Sequence, residues 1–364
     1  MANWVKNLLG RQPSSETGNA DNDNDKAMDY RLLGRCGLRV SEICLGTMTF
    51  GTDWGWGADK ITSKQIFDTF VNAGGNFFDT ANRYTNGTSE KWLGEFIKSD
   101  RHQFVVGTKY SLKDRVGDLN FSGNHRKNMV RSVEESLKRL DTDYIDLLWL
   151  HSWDFTTAID EVLRALDDLV HSGKVLHLGI SNTPAWVISQ ANTLADWKGL
   201  NQFVAIQVEY SLIQRAPERD LLPMAEALGL SVTAWGGLGN GLLTAKYLNG
   251  ETGRLNEKSP RFSDRNNLIA LEVKTIAAEL GVTASQISLA WIMQQPTAVI
   301  PVIGIRNEVQ LKDNFESLNI KLSDVVIKRL NDISSIDLGY PHDLLASAGS
   351  RNDLYSGLYN DLIF

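Results

Sequence analysis

The 364-residue sequence is poor in the residue types that mark several classes of protein. It has two cysteines, Cys36 and Cys44, outside any CxxC pair, so we expect reduced thiols and a reducing, cytoplasmic location. Its six histidines form no HxH or HExxH motif, which disfavours a metal-dependent barrel hydrolase, and we expect no metal site. The net charge of −7 lacks the basic excess of a nucleic-acid binder.

Long hydrophobic runs are also missing. No apolar stretch approaches the roughly 20 residues of a membrane span, and Lys6 and Asn7 interrupt the apolar residues near the N-terminus, which disfavours a signal peptide. Residues 12–26 are rich in Ser, Asn and Asp, so residues 1–27 are predicted to be a disordered leader. We therefore expect neither a membrane nor a nucleic acid as partner. The sequence does not fix the oligomeric state, and a barrel of this size can be a monomer.

From Met28 onward, short apolar strands alternate with amphipathic helices. Residues 29–33 and 38–40, on either side of a glycine turn, predict a small hairpin. The strand candidates that follow are residues 42–46, 76–79, 104–109, 144–151, 175–181, 204–209, 231–235 and 298–302. Eight strand–helix units favour a closed (β/α)8 TIM barrel, an α/β fold, over an open sheet. The sequence after the first strand also fails to match the GxGxxG motif of a Rossmann domain.

The predicted barrel spans residues 28–336, with the N-terminal hairpin inside that range. Residues 337–364 are predicted to be a C-terminal extension whose leucines pack back on the barrel. One of the barrel helices is marked by an apolar stripe of Val130, Val133, Leu137 and Leu140. On the solvent-exposed face of this helix, we predict the i,i+4 ion pairs Glu134–Lys138 and Glu135–Arg139.

Catalytic residues of such barrels lie at the C-terminal ends of the strands. There the sequence has Asp79, Lys109 and His151, with Tyr84 in the loop after Asp79. Carbonyl reduction requires a group that stabilises and protonates the developing oxyanion. A tyrosine hydroxyl can do both if a nearby ammonium lowers its pKa, and a carboxylate can hold that ammonium in place. The four residues therefore predict a proton-donating unit without a metal, with His151 as a hydrogen-bond donor to the substrate.

The segment 76–84, NFFDTANRY, followed by NGTSE at 86–90, resembles the signature of the aldo-keto reductase family. The family's catalytic tetrad matches Asp79, Tyr84, Lys109 and His151 in chain order, and the resemblance covers residues 30–334. Thr85 is a departure, since the family usually has glycine there. The resemblance implies an NADP-dependent oxidoreductase that interconverts an aldehyde or ketone and an alcohol. It points to the longer-chain branch of the family, which also includes potassium-channel β-subunits.

The same resemblance implies where NADP(H) binds. Amide and hydroxyl groups after strands five and six would hold the nicotinamide carboxamide, and Trp235 would stack on the ring. The glycine-rich segment 236–242 can turn its N–H groups toward phosphate oxygens. Arg306 favours NADP over NAD because it can bind the 2′-phosphate. The expected cofactor contacts are Gly46, Thr47, Met48, Asp79, Ser181, Asn182, Gln207, Trp235, Gly236, Gly237, Leu238, Gly239, Gly241, Lys246, Gly304, Arg306, Gln310, Asp313 and Asn314.

Three tryptophans, Trp54, Trp56 and Trp153, are predicted to line the substrate pocket. They indicate an aromatic or bulky apolar substrate, or they only form the walls of the site without selecting a substrate. Two other functions stay open. Lys109 could form the Schiff base of a class I aldolase, although that leaves Trp235 and the glycine loop without a role. The chain could also be a non-enzymatic binding protein like the channel β-subunits.

Overall fold

The computed structural model describes residues 28–255 and 258–362, so the predicted leader lies outside the described residues. The strands are β1 (Tyr30–Leu32), β2 (Arg39–Ser41), β3 (Cys44–Gly46), β4 (Phe77–Asp79), β5 (Val105–Tyr110), β6 (Ile145–Leu150), β7 (Val175–Ser181), β8 (Phe203–Glu209), β9 (Ser231–Trp235) and β10 (Val299–Gly304). The helices are α1 (Lys60–Asn72), α2 (Thr88–Ile97), α3 (Arg126–Leu140), α4 (Ile159–His171), α5 (Ala185–Lys198), α6 (Leu221–Leu228), α7 (Asp264–Leu280), α8 (Ala284–Met293), α9 (Glu308–Phe315), α10 (Asp324–Ile333), α11 (His342–Ala346) and α12 (Ala348–Leu354).

Strands β3 to β10 form a closed parallel barrel in which β10 pairs with both β3 and β9. At least one helix follows each of these strands, which confirms the predicted (β/α)8 barrel. The predicted strand boundaries lie within two residues of the observed ones, and those of β7 and β9 coincide with them. Every residue of β4, β5 and β6 is buried, because their outer faces lie under helices and their inner faces fill the barrel.

The antiparallel hairpin β1–β2, also as predicted, closes the N-terminal end of the barrel. Its turn is fixed there by Gly34, whose N–H donates to the Ser231 hydroxyl at the start of β9 (2.6 Å). Leu33 and Val40 belong to the same buried cluster as Phe77 and Trp149 inside the barrel. The hairpin therefore leaves the opposite end, where the strands terminate, as the open mouth.

Trp149 fills the barrel interior and shows how small residues make room for it. Gly179 on β7 and Gly107 on β5 flank its indole ring. A Cβ atom on Gly179 would lie 2.3 Å from the ring and one on Gly107 2.8 Å from its nitrogen, so no larger residue fits at either position. Lys109 is the direct partner of Trp149 in the register of β5 and β6, one layer below the mouth.

Helix α3 lies where its apolar stripe predicts, but two details of the prediction are wrong. Val130 is exposed, and its neighbour Met129 is buried in its place. Neither i,i+4 pair forms. The observed partners are Lys138 with Glu135, Lys174 with Glu134, and Arg139 with Glu90. Two of these pairs join α3 to other segments, to Glu90 of α2 and to Lys174 just before β7, and the third lies within the helix at i,i+3 spacing.

The C-terminal extension begins after α10. Its backbone is held at Asp337, whose carbonyl oxygen accepts a hydrogen bond from Arg219 (2.7 Å). The leucines expected to pack on the barrel are largely exposed in α11, in α12 and beyond them. Their packing against the barrel stays a prediction. Among the described residues, no single helix is long and apolar enough to cross a membrane, and α7 with α8 meets that test only as a pair bent by 100°.

Candidate active site

Strand ends bring the four predicted catalytic residues to one side of the barrel mouth. Lys109 Nζ forms an ion pair with Asp79 Oδ2 and donates to the Thr80 carbonyl oxygen (2.8 Å). The same ammonium lies 4.9 Å from the centre of the Tyr84 ring. The Tyr84 and His151 rings face each other edge to face, with their centres 6.1 Å apart. Asp79 and Lys109 are buried, whereas Tyr84 and His151 are partly open to the mouth.

Burial and neighbouring charges act in opposite directions on the pKa values of Tyr84 and Lys109. Burial raises the pKa of the Tyr84 hydroxyl, and Lys109 offsets only part of that effect. The expectation that Lys109 brings the tyrosine pKa below its usual value is therefore wrong for the protein alone. Burial by itself lowers the pKa of Lys109, but Asp79 and Tyr84 reverse this and the net direction is upward. Tyr84 is thus protonated and Lys109 charged at neutral pH.

The imidazole of His151 is uncharged at neutral pH. Burial, and then the positive charges of Lys109 and Arg83, hold the pKa of its imidazole well below the usual range. Its backbone N–H donates to the Tyr110 carbonyl oxygen, and its carbonyl oxygen accepts from Asn182 Nδ2 (2.8 Å). A neutral imidazole carries one N–H, so His151 can donate a single hydrogen bond into the mouth.

The loop after Tyr84 explains the departure at Thr85. Thr85 has a φ of 44°, a left-handed conformation that glycine adopts more readily. Its buried hydroxyl donates to the Phe50 carbonyl oxygen (2.7 Å) and accepts from the Ser89 N–H (3.1 Å). Those bonds fasten the loop after β3 to the start of α2, which compensates for the unfavourable backbone. The tetrad keeps its geometry.

A cleft of about 860 Å³ opens above the tetrad and extends across the barrel mouth. Most of the predicted site residues line it. These are Gly46, Met48, Trp54, Trp56, Asp79, Tyr84, His151, Asn182, Gln207, Trp235, Gly236, Gly237, Leu238, Gly241, Lys246, Gly304, Arg306, Gln310, Asp313 and Asn314. The chain thus gathers the ends of all eight barrel strands, or the loops after them, around one concave surface.

Five of the predicted site residues do not line the cleft. Lys109 lies behind Asp79, and Trp153 packs against the hydrophobic core. Thr47 and Ser181 are buried and bond to backbone oxygens of Asp79 and Gln207. Gly239 is the fifth. For Thr47 and Ser181 the structure shows a supporting role, since they position strand ends whose neighbours face the cleft.

Three unpaired cations mark one part of the cleft. Lys246, Arg254 and Arg306 all line it, and none forms an ion pair with a carboxylate in the described part of the chain. Burial, and then repulsion by Arg306 and Arg261, lower the pKa of the Arg254 guanidinium. Sequence reasoning missed Arg254, because it lies in a loop without any periodic pattern. Such a cluster is stabilised by an anion.

The glycine loop beside these cations is shaped for close approach of a ligand. Gly236 and Gly241 have positive φ values of 73° and 95°, which glycine adopts without strain. Hydrogen bonds from the Gly239 N–H to the Gly236 carbonyl oxygen (2.7 Å) and from the Gly241 N–H to the Leu238 carbonyl oxygen (2.8 Å) close the turns of this loop. Lys246, Arg254 and Arg306 beside this loop suit a ligand that carries several phosphate groups. Within the described ranges, no group of three His, Cys, Asp or Glu side chains is placed to hold a metal ion.

A parallel (β/α)8 barrel with Asp, Tyr, Lys and His side chains gathered at its strand ends has the architecture of a barrel enzyme, whose site lies at that end. The sequence profile of the aldo/keto reductase family matches residues 42–335. The chain belongs to this family. It is accordingly an oxidoreductase of the carbonyl/alcohol type, as the resemblance of its sequence implied.

Several curated fungal proteins are similar over most of their length. Norsolorinic acid reductase A of Aspergillus parasiticus is 39% identical over 327 residues, which cover 87% of this chain and 84% of the relative. Norsolorinic acid reductase stcV of Emericella nidulans is 40% identical over 86% and 83% of the two chains. Aryl-alcohol dehydrogenase [NADP(+)] of Phanerodontia chrysosporium is 37% identical over 88% and 90%. The narrower assignment to the branch with channel β-subunits stays a prediction.

Proposed function

We propose that the chain is an NADP(H)-dependent oxidoreductase that interconverts an aldehyde or ketone and an alcohol, with Tyr84 as general acid and base. The observation that carries this proposal is the position of Tyr84. Its ring lies at the cleft, with the Lys109 ammonium 4.9 Å from its centre and His151 across the mouth. A hydroxyl at that place can protonate a substrate oxygen, and the charges behind it can stabilise the phenolate that remains.

Each residue of the tetrad has one physical task. When bound, NADPH supplies a hydride to the carbonyl carbon. Tyr84 then gives its proton to the carbonyl oxygen, and Lys109 stabilises the negative charge left on the phenolate. Asp79 keeps Lys109 charged and fixed, and Gln207 Nε2 in turn donates to Asp79 Oδ1 (3.0 Å). His151 donates a hydrogen bond from its neutral imidazole, which orients the substrate oxygen toward Tyr84. Alcohol oxidation uses the same groups in reverse.

The choice of NADP(H) over NAD(H) rests on the three cations of the cleft. Lys246, Arg254 and Arg306 provide one positive charge for each of the three phosphate groups of NADP(H). Asn314, Gln310 and Asp313 lie beside Arg306, where the resemblance implies the adenosine end. The Gln310 side chain accepts a hydrogen bond from the Arg306 backbone (3.0 Å), which holds that end in shape. A relative named for NADP(+) agrees with this choice.

The aldolase alternative finds no support in the position of Lys109. A Schiff-base lysine must reach the substrate and lose its proton. Lys109 is 1% exposed, and two oxygens, of Asp79 and Thr80, hold its ammonium group. Its pKa is raised, so the neutral amine is rarer than in a free lysine. These contacts suit a charge that supports Tyr84.

The experiment that tests the proposal is a fluorescence titration of the purified protein with NADPH and, separately, with NADH. Trp235 lines the cleft, so cofactor binding should quench tryptophan fluorescence, and a Trp235→Phe variant should lose most of that signal. Tighter binding of NADPH supports the proposed cofactor, and oxidation of NADPH by an aldehyde panel then tests turnover. Tighter binding of NADH keeps the reductase but rejects the role of Arg306. Absence of any response rejects the proposed cofactor site.

The substrate class and cellular setting are proposed on more general grounds. Two indoles, Trp54 and Trp56, line the cleft at 5.7 Å from each other, which favours an aromatic substrate. Relatives named for norsolorinic acid and aryl alcohols agree with it. The thiols of Cys36 and Cys44 form no disulfide, which is compatible with the proposed cytoplasmic location.

A further inference from the structure

One cation of the cleft has no part in the proposed reaction or in cofactor binding. Arg83 immediately precedes Tyr84 and lines the cleft on the tetrad side. Its guanidinium lies over the Trp54 ring, 5.9 Å from the ring centre. It forms neither an ion pair nor a hydrogen bond with another described side chain. An unpaired guanidinium inside a cleft retains five N–H donors that can bind an acidic ligand.

The charge of Arg83 reaches the residues that surround the substrate. It acts on both His151 and Tyr84, where it opposes protonation of the imidazole and favours ionisation of the hydroxyl. The carboxylate nearest the reaction, Asp79, is already bound to Lys109. Arg83 is therefore the uncompensated charge at the tetrad end of the cleft. Its neighbour Trp54 and the adjoining Trp56 supply apolar walls for a ring, and Leu112 lines the same cleft.

We propose that Arg83 is a specificity-determining residue that binds an acidic group of the substrate, so that aromatic aldehydes or ketones carrying a carboxylate are preferred over neutral analogues. The inference rests on the proposed function, since it concerns the substrate of that same site. A guanidinium binds a carboxylate through two parallel hydrogen bonds, and the Trp54 ring lies within cation–π distance of this guanidinium. The carbonyl of the same molecule then lies near Tyr84, the next residue of the chain.

The test compares matched pairs of substrates. The 2-, 3- and 4-formylbenzoates and the corresponding formylbenzamides have the same ring and aldehyde and differ in charge. With NADPH, at least one formylbenzoate should have a kcat/KM about 10- to 100-fold above that of its amide, the range of a charged hydrogen bond. In Arg83→Leu this ratio should fall to about 1, mainly through KM, and Arg83→Lys should keep part of it. Because the readout is a ratio, general damage to the site cancels.

Arg164→Leu is the matched control, because it removes the same charge from the exposed side of α4. It should leave the ratio unchanged. An equal ratio in wild type and Arg83→Leu overturns the inference, as does a wild-type preference for the amides. If no compound is reduced, the proposed function fails. Calorimetric titration of the formylbenzoates then decides the inference by itself, since binding lost in Arg83→Leu supports an anion site and absent or unaltered binding rejects it.

Discussion

Removal of the Tyr84 hydroxyl is the most direct test of the proposed chemistry. Tyr84→Phe keeps the ring that faces Lys109 and His151 and deletes the oxygen that carries the proton. Neither neighbour can replace it. His151 is a neutral imidazole with a pKa well below its usual range, and Lys109 is held by Asp79 and Thr80. A positioned general acid contributes about 100- to 10,000-fold to a rate, or about 3 to 5 kcal/mol of barrier.

We therefore expect kcat of Tyr84→Phe to fall by about 100- to 10,000-fold. The dissociation constant for NADPH should change by less than about threefold, because the cations proposed to bind its phosphates are separate groups. The assay is single-turnover oxidation of NADPH at saturating aldehyde, followed by absorbance, with the fluorescence titration in parallel. A weaker cofactor affinity that accounts for all of the lost rate would place Tyr84 in the cofactor site and not in proton transfer.

Tyr30→Phe provides the control for this experiment. The Tyr30 hydroxyl donates to the Gly74 carbonyl oxygen (2.8 Å) in the hairpin at the closed end of the barrel. The same atom is deleted there, far from the mouth, so kcat should stay close to that of the wild type. The reasoning is refuted if Tyr84→Phe retains more than about a tenth of the wild-type kcat, because a lost general acid costs more than that.

Three further outcomes are expected. Arg306→Ala should weaken NADPH binding about 10- to 100-fold and leave NADH nearly unchanged, as measured by fluorescence; an equal loss for both cofactors would contradict a 2′-phosphate contact. Lys109→Met should lower the free energy of unfolding in urea by about 3 to 5 kcal/mol, because Asp79 is left as an unpaired buried charge. A decrease below about 1 kcal/mol would show that Asp79 carries no unpaired charge in this variant. The kcat/KM for reduction should be flat between about pH 7 and pH 9, because the pKa of His151 is lowered from an ordinary value of about 6.5 and that of Tyr84 is raised from an ordinary value of about 10. An inflection inside that pH range would assign the proton to another group.

The barrel and most of the candidate catalytic centre could be predicted from the sequence because both depend on local patterns. Alternation of apolar strands with amphipathic helices predicts parallel pairing, and β4, β5 and β6 lie within two residues of their predicted positions. In a parallel barrel all strands end at one rim, so residues after successive strands must converge. Asp79, Lys109 and His151 could thus be brought together without knowledge of any distance.

Details that depend on contacts between distant segments could not be derived in this way. Arg139 pairs with Glu90 of another helix, although its own helix offers Glu135 at the i,i+4 position. Trp153, two residues after His151, packs against the core rather than lining the cleft. Arg254 joins the cleft from a loop whose path no periodicity predicts. Each outcome is decided by which side chains meet after the barrel closes.

The fold, the family and the candidate proton-donating residues could be predicted from the sequence, because period, strand order and residue type are properties of the chain. The tertiary structure alone decided the electrostatics of the site. Whether Tyr84 is more or less acidic than a free tyrosine depends on the balance between burial and the charge of Lys109, and in this structure burial prevails. That balance depends on the depth and distance of the groups, which exist only once the strands have closed into a barrel.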